Sequence, residues 1–484
     1  MSTKTLVLHP LDQIASRGYM RCLFCFPLLD ENINQSLEAL QASVDMTISQ
    51  SPFLSGTLQI ESQETGRLRL TFPSEGARKQ LKVKRFPDFG CSYEELRRLG
   101  MPMKFFGLEL GPFPTFRPDL SEPVEVFGVQ ANLIPGGLVL ATYVHHSIAD
   151  GIGYSIVTTQ LARNCFFSSE RNSGGELQKT QNSYGNVEFS QVPWQGDQSD
   201  NNPLISGIPG YTVYENLSPI PMTAIPTPVI TKLVRTFVFH KSSIAKLKSL
   251  LVAHLPKETP SENAWISTYD SIVALFWSAI TVARLKSGAS APLSLSSPSS
   301  PITSQLMYPT TLRKILQLPK SYCHNACLST TTPPIPVHDF TLEDTEFLSK
   351  LALTIRETTA AITEPRSRQV ISLINSLSDV RTLQRPAGAD IGLSGQYDLM
   401  FTNCAPFPWY DLDFGGGLGK VDWAKICPLN PLGWDGLGYV MPERKEPGVE
   451  AGKAEIEVVL GLKTEAMEAL CKDESLMKWV DRII

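Results

Sequence analysis

Leu138-Val139-Leu140-Ala141-Thr142-Tyr143-Val144-His145-His146-Ser147-Ile148-Ala149-Asp150-Gly151 is the stretch on which the reading of this chain turns. Its first half is an apolar run of strand length, and Pro135-Gly136-Gly137 just before it is a turn signal. Side chains on a strand alternate faces, so His146 should project with Val144 and His145 with Tyr143. At most one histidine then faces a given cavity. Upstream, Glu122 to Ile134 alternates as well, with Val124, Val126 and Gly128 on one side and Phe127, Val129, Ala131 and Leu133 on the other. Joined through the turn, the two stretches predict a β-hairpin. Downstream, Ile156, Leu161 and Cys165 have helical spacing within the run Ile156 to Phe167. The histidines and the carboxylate thus stand where a strand gives way to a helix, a position from which side chains can face a cleft.

The flanking sequence alternates strands and helices. Met20 to Leu29 predicts a first buried strand, and Leu37, Leu40, Val44 and Ile48 make an apolar helical stripe within Asn34 to Ser49. Thr57 to Ile60 with Leu68 to Phe72 predicts a second hairpin, and the mixture implies α/β or α+β layers. From Ser168 to about Lys232 the chain turns rich in Ser, Asn, Gln, Gly and Pro, the composition of a crossover between two domains. Beyond it, Leu233 to His240 predicts a strand and Ser242 to Ala253 a helix. Ser267-Thr268-Tyr269-Asp270 offers capping oxygens at the start of another helix, with Ile272, Val273, Phe276, Ile280 and Ala283 buried behind them. Ser287 to Ser304 predicts a solvated loop. Asp344 to Ile362 and Val370 to Leu377 predict helices, Leu399 to Asn403 and Glu455 to Leu462 strands, and Thr464 to Val480 one closing helix.

Composition narrows the function classes. A chain of 484 residues, 42% of them hydrophobic, can bury a large core and favours two domains. The net charge of −5 with 19% charged residues makes no electrostatic case for a nucleic-acid partner. No run approaches the roughly 20 apolar residues that span a bilayer, and the first ten residues lack a signal-peptide core. The cysteines are scattered, and Cys22/Cys25 has no second pair at zinc-ligand spacing. A cytoplasmic, monomeric protein with reduced thiols, without nucleic acid, membrane or metal, is the expectation.

Three chemistries fit the histidine motif. A histidine at a cleft mouth can act as general base, typically worth about 10²–10⁴ in rate, with Asp150 either orienting it or shaping the loop and Gly151 leaving room beside the ring. A satisfied core histidine with Asp150 as helix N-cap is the bland rival. A metal site using His145, His146 and Asp150 is the third, and the divergence of adjacent strand side chains counts against it. In the second half, Asp413-Phe414-Gly415-Gly416-Gly417 lacks the Lys-Ser/Thr of a phosphate loop and reads as tight backbone packing.

His-His-x-x-x-Asp-Gly at 145–151 followed by Asp-Phe-Gly-x-Gly at 413–417 resembles the BAHD acyltransferases, particularly fungal secondary-metabolite members similar to trichothecene O-acetyltransferases. Leu11-Asp12-Gln13-Ile14, Ser51 to Gly56, Ser267 to Arg284, Tyr322-Cys323-His324-Asn325-Ala326 and Asp435-Gly436 to Pro442 carry the likeness along nearly the whole chain. The resemblance implies an α/β fold of two chloramphenicol-acetyltransferase-like domains, each a mixed sheet with flanking helices, and an active-site channel between them. The domains would span 1–190 and 233–484, with a crossover linker at 191–232. It implies an acyl-CoA-dependent O-acyltransferase that moves an acetyl group to a hydroxyl of a small hydrophobic natural product, with acyl-CoA as co-substrate and no bound cofactor. His146 would be the general base, Asp150 architectural through an arginine, and Asp413, Phe414, Gly415 and Gly417 interface residues. On the CoA side the candidates are Lys246, Lys248, Ser267 and Thr268, and for the oxyanion Thr402 and Asn403. His324 stands where a glycine is usual, Tyr269 where an asparagine is usual, and Gly416 where many plant members have tryptophan. Carrier-protein-dependent transfer or condensation on the same fold, or a non-catalytic metabolite-binding scaffold, are the alternatives.

Overall fold

The computed structural model describes residues 2–172, 211–213, 232–256, 265–288, 301–384, 397–426, 435–445 and 453–484. The hairpin at its centre pairs Phe127–Ile134 with Gly137–His145 in antiparallel register, Ile134 opposite Gly137 and Phe127 opposite Val144. Pro135-Gly136 makes the turn, and Gly136 at φ 76° takes the left-handed conformation that glycine tolerates best. Every residue of Gly137–His145 is buried, because both faces of its sheet are covered. The other side of this strand pairs with Tyr19–Pro27, Tyr19 opposite His145. Lys82–Arg85 closes one edge in parallel, so the first sheet is five-stranded and mixed. Cys22 and Cys25, three apart on one strand, fall into cores on opposite faces of it.

The alternating stretch Glu122 to Ile134 is not one strand. Val124–Glu125 leaves to pair with Thr57–Ile60 in a separate four-stranded antiparallel sheet, and the break falls at Val126. The helix Ile33–Gln50 packs on the helix Gly151–Asn172 over the first sheet, burying Leu40, Val44 and Ile48 against Leu161 and Cys165.

The second sheet has seven strands. Leu399–Asn403 lies parallel to both Leu306–Thr311 and Leu437–Val440, and the remaining neighbours are antiparallel. Its core helix, Thr268–Ser287, is apolar nearly all round, with Phe276 and Trp277 fully buried. Ser267 and Asp270 form a capping box at its start, and Gly288 at φ 62° ends it. The expected closing helix from Thr464 to Val480 is broken: Thr464–Leu470 and Glu474–Met477 are separate, because Asp473 caps the second by accepting from the N–H groups of Ser475 and Leu476. Most of the expected linker and of the Ser/Pro-rich loop lies outside the described residues. Thr303–Ser304, at the end of that loop, pairs with Ile335–Pro336.

One segment of the second half crosses to the first. Trp423–Lys425 pairs with Leu23, Phe24 and Cys25 and becomes an edge of the five-stranded sheet. Just before it, Phe414 is fully buried against Phe24 and Phe26, with ring centroids 6.3 and 5.1 Å apart. Gly415, at φ 66°, leaves no room for a side chain, since a Cβ there would lie 2.3 Å from Ser169 Oγ. The Asp413 carboxylate accepts from the Gly415 N–H at 2.9 Å, and a Cβ on Gly417 would lie 2.5 Å from Asn32 Cβ. The glycine motif is therefore a packing joint. Glu457 of the seven-stranded sheet then accepts from Lys425 Nζ at 3.0 Å and Trp423 Nε1 at 2.9 Å, locking the crossing strand by a buried ion pair.

Candidate active site

His145 and His146 end the central strand and part company there. His145 is fully buried on the Tyr143 side, its ring edge-on to Tyr19 at 5.2 Å, and its Nδ1 accepts from the Ser147 N–H at 3.2 Å. Burial pushes its pKa down to about 3, so it stays neutral. His146 is partly exposed. Its main chain is held from both sides: its N–H donates to the Gly18 carbonyl at 2.8 Å, and its carbonyl accepts from Asn325 Nδ2 at 2.8 Å.

Asp150 combines two roles that the sequence set apart. As N-cap of the helix Gly151–Asn172 it accepts from the Gly153 N–H at 2.9 Å. It also takes a two-pronged ion pair from Arg313, at 2.7 and 2.8 Å, and the Ala326 N–H at 3.0 Å. Arg313 in turn donates to the carbonyls of Tyr322 and His324 at 3.1 and 3.0 Å. With Asp150 held by a guanidinium and His145 turned into the core, no metal site forms from the motif. Among the described residues no group of three His, Cys, Asp or Glu is placed to hold a metal ion.

The turn after the histidines is thus gripped by the second half of the chain. His324 is fully buried, and its Nδ1 lies 2.9 Å from the Ile148 carbonyl, so Nδ1 carries the proton. Glycines admit this grip. A Cβ on Gly153 would stand 1.7 Å from the Cys323 carbonyl oxygen, and one on Gly151 would stand 3.0 Å from the Phe407 ring. Arg313, Asn325, Asp12 and Gly153 are the supporting residues that sequence reasoning did not assign. Asp12, Asn325 and the Tyr322–Ala326 run stood in quoted motifs, but nothing in the sequence placed them beside residues 145–151.

Burial of three histidines makes the fold acid-sensitive. His9 is pushed down to about 4 and His145 and His324 to about 3, each chiefly by burial. Between those values and the unfolded pKa of about 6.5, the unfolded chain binds protons that the folded chain refuses. Their contribution is complete above pH of about 6.5 and is lost as pH falls toward 3–4. Asp12 acts in the opposite sense, since burial raises it to about 7, so its contribution is present below the unfolded value and lost as pH rises through 7. Asp398, also raised by burial, acts with Asp12, and the three histidines outweigh the two carboxyls. The thermal midpoint should drop as pH is lowered from 7.5 to 5 (about the range in which histidines titrate), and a scanning fluorimetry series with a flat or rising midpoint would contradict this.

The remaining candidates are spread over the second half of the chain. Lys248 and Thr268 line one open cleft of about 660 Å³ on the second half, with Lys241, Ser249, Ile456 and Glu443. Lys246 is not among its walls; it is exposed on another face of the helix Lys241–Ala253. Ser267 is engaged as the helix cap, its Oγ accepting from the Asp270 N–H at 3.1 Å. Helical periodicity turns Lys246 away from Lys248, and the capping box engages Ser267. Thr402 and Asn403 end Leu399–Asn403, an interior strand of the second sheet, partly buried, and Asn403 Oδ1 accepts from the Ala405 N–H at 3.1 Å. Phe407, which meets Gly151, follows four residues later.

The chain is similar to known proteins in sequence and in fold. The Transferase family profile matches residues 117–477, and that of the trichothecene 3-O-acetyltransferase-like N-terminal domain matches residues 19–165. An eremophilane O-acetyltransferase of Penicillium rubens is 26% identical over 440 residues, covering 86% of this chain and 88% of the relative. An eremophilane O-acetyltransferase of Penicillium roqueforti is 24% identical over 446 residues, covering 86% and 88%. The crystal structure of F. graminearum TRI101 complexed with coenzyme A and T-2 mycotoxin superposes with a TM-score of 0.78 at 19% identity, covering 99% of both chains. Vinorine synthase superposes at 0.60 and 15% identity, covering 99% and 98%. These structural likenesses speak for the two-domain α/β fold that the motifs implied. By its sequence match over most of its length, the chain belongs to the Transferase family, the BAHD acyltransferases.

Proposed function

We propose that the protein is an acetyl-CoA-dependent O-acyltransferase acting on a hydroxyl of a small hydrophobic natural product, with His146 as its base. The observation that carries this is the contrast between the two histidines: His145 is sealed in the core, while His146 is partly exposed with its main chain held on both sides. His146 takes the proton of the acceptor hydroxyl as that oxygen attacks the thioester carbonyl carbon. The resulting tetrahedral oxyanion collapses, the C–S bond breaks, and the departing thiolate takes the proton back from the imidazolium to leave free CoA. Thr402 and Asn403 are the proposed oxyanion donors. The cleft holding Lys241, Lys248 and Thr268 is the proposed seat of the CoA nucleotide, where lysine ammonium groups can meet phosphate. Relatives named for eremophilane, and the T-2 mycotoxin in the F. graminearum structure, support a polycyclic hydrophobic alcohol as acceptor. Asp150 serves as the architect of the turn, consistent with its pairing to Arg313.

The test is thiol release together with mass spectrometry of the acceptor, using acetyl-CoA and a panel of terpenoid alcohols. Acetyl ester and free CoA should appear in equal amounts. Product from an acetylated carrier protein but none from acetyl-CoA would overturn the donor assignment. Turnover of neither donor with any alcohol would leave the binding-scaffold reading in its place.

A further inference from the structure

A carboxylate from the first dozen residues reaches the main chain of the base. Asp12 lies in the short helix Pro10–Gln13 and is fully buried. Gln13 fastens that helix to the four-stranded sheet, donating to the Leu68 carbonyl at 3.0 Å and accepting from the Leu68 N–H at 2.7 Å. Asp12 Oδ1 accepts twice from one residue, from the Asn325 N–H at 2.9 Å and from Asn325 Nδ2 at 2.7 Å. The same Nδ2 donates to the His146 carbonyl at 2.8 Å. We infer that Asp12 is a positioning residue for acyl transfer, acting through Asn325 to hold the main chain of His146 where its imidazole can serve as base.

The argument is one of amide orientation. A buried asparagine side chain can present either its oxygen or its nitrogen to a neighbour. Flipped, Asn325 would set its oxygen against two acceptors, the His146 carbonyl and the Asp12 carboxyl. Ionised, Asp12 can only accept, and together with the His146 carbonyl it opposes the flip. The groups around it supply no cation in its place. His9 and His324 are held neutral by burial, Arg313 is committed to Asp150, and Tyr322 and Cys323 are pushed up by burial and by Asp12 itself. Burial raises Asp12 to about 7, so the carboxyl is costly to ionise there, and what it satisfies is the pair of Asn325 donors. A carboxyl at this position therefore answers to the asparagine.

This inference rests on reading His146 as the base, and His146→Ala is run beside it. Asp12→Asn keeps an oxygen where Oδ1 stands, as acceptor for the Asn325 N–H and Nδ2. It should hold kcat near the wild-type value. Asp12→Ala and the volume-filling Asp12→Leu remove the acceptor and should lower kcat about 10–100-fold, the usual range for residues that orient an active-site group, with KM for acetyl-CoA unchanged. Rates are read by thiol release below the unfolding midpoint of each variant. Wild-type kcat in whichever acceptor-less variant folds would overturn the inference, as would a loss in Asp12→Asn equal to that in Asp12→Ala. If His146→Ala itself turns over normally, the base assignment fails instead, whatever Asp12 does.

Discussion

His146→Ala should leave a folded protein whose acetyl transfer is slower by about 10²–10⁴ or more, the weight a positioned general base carries. The fold should survive because the hydrogen bonds that residue 146 makes to Gly18 and Asn325 use main-chain atoms, which alanine retains. The side chain removed is partly exposed, so no sealed cavity forms. Initial rates of CoA release, compared with an unfolding curve for the same preparation, make the measurement. A normal midpoint with the rate collapsed is the expected pair of results. A rate within tenfold of wild type would remove His146 from the chemistry. His145→Ala offers the contrast: it opens space in a core against Tyr19 and should lower the midpoint before it touches the chemical step.

The largest stability effect belongs to Arg313. Replacing it with methionine leaves the Asp150 carboxylate buried without its guanidinium, and breaking a buried pair from one side costs about 3–5 kcal/mol. The Tyr322 and His324 carbonyls lose their donor in the same change. For a chain of this length that corresponds to a fall of about 3–5 °C in the midpoint. Activity should fall as well, because the turn behind His146 loses its anchor to the second half of the chain. Asp150→Ala should cost a comparable amount, and the double variant little more than either single one, because the two residues act as a unit. Additive losses in a double-mutant cycle read by chemical denaturation would show that the pair is not coupled.

Much of the architecture was legible locally. The hairpin, the two long helices of the first half, and Leu399–Asn403 follow from periodicity and turn chemistry, which act over a few residues. The failures have local causes too. Val126 breaks an alternation that runs on in the sequence, because the two halves of that stretch pair into different sheets. Asp473 ends a helix whose apolar spacing continues past it. Leu306–Thr311 and Cys327–Thr331 were not expected as strands, since Pro309 and a run of threonines and serines mask their alternation.

The sequence by itself determined the family, the buried strand, and the divergence of two adjacent histidines, because each depends on residues close together along the chain. Only the tertiary structure decided what surrounds them. It brings Asp12, Arg313 and Asn325 to the turn at 145–151 from segments more than 130 residues away in the sequence. It also carries Trp423–Lys425 from the second half into the first sheet. A hydrogen bond or ion pair between distant segments leaves no periodic trace in either of them. It exists once packing has fixed both backbones, and there the identity of a single donor or acceptor decides whether a buried charge is held or left unmatched.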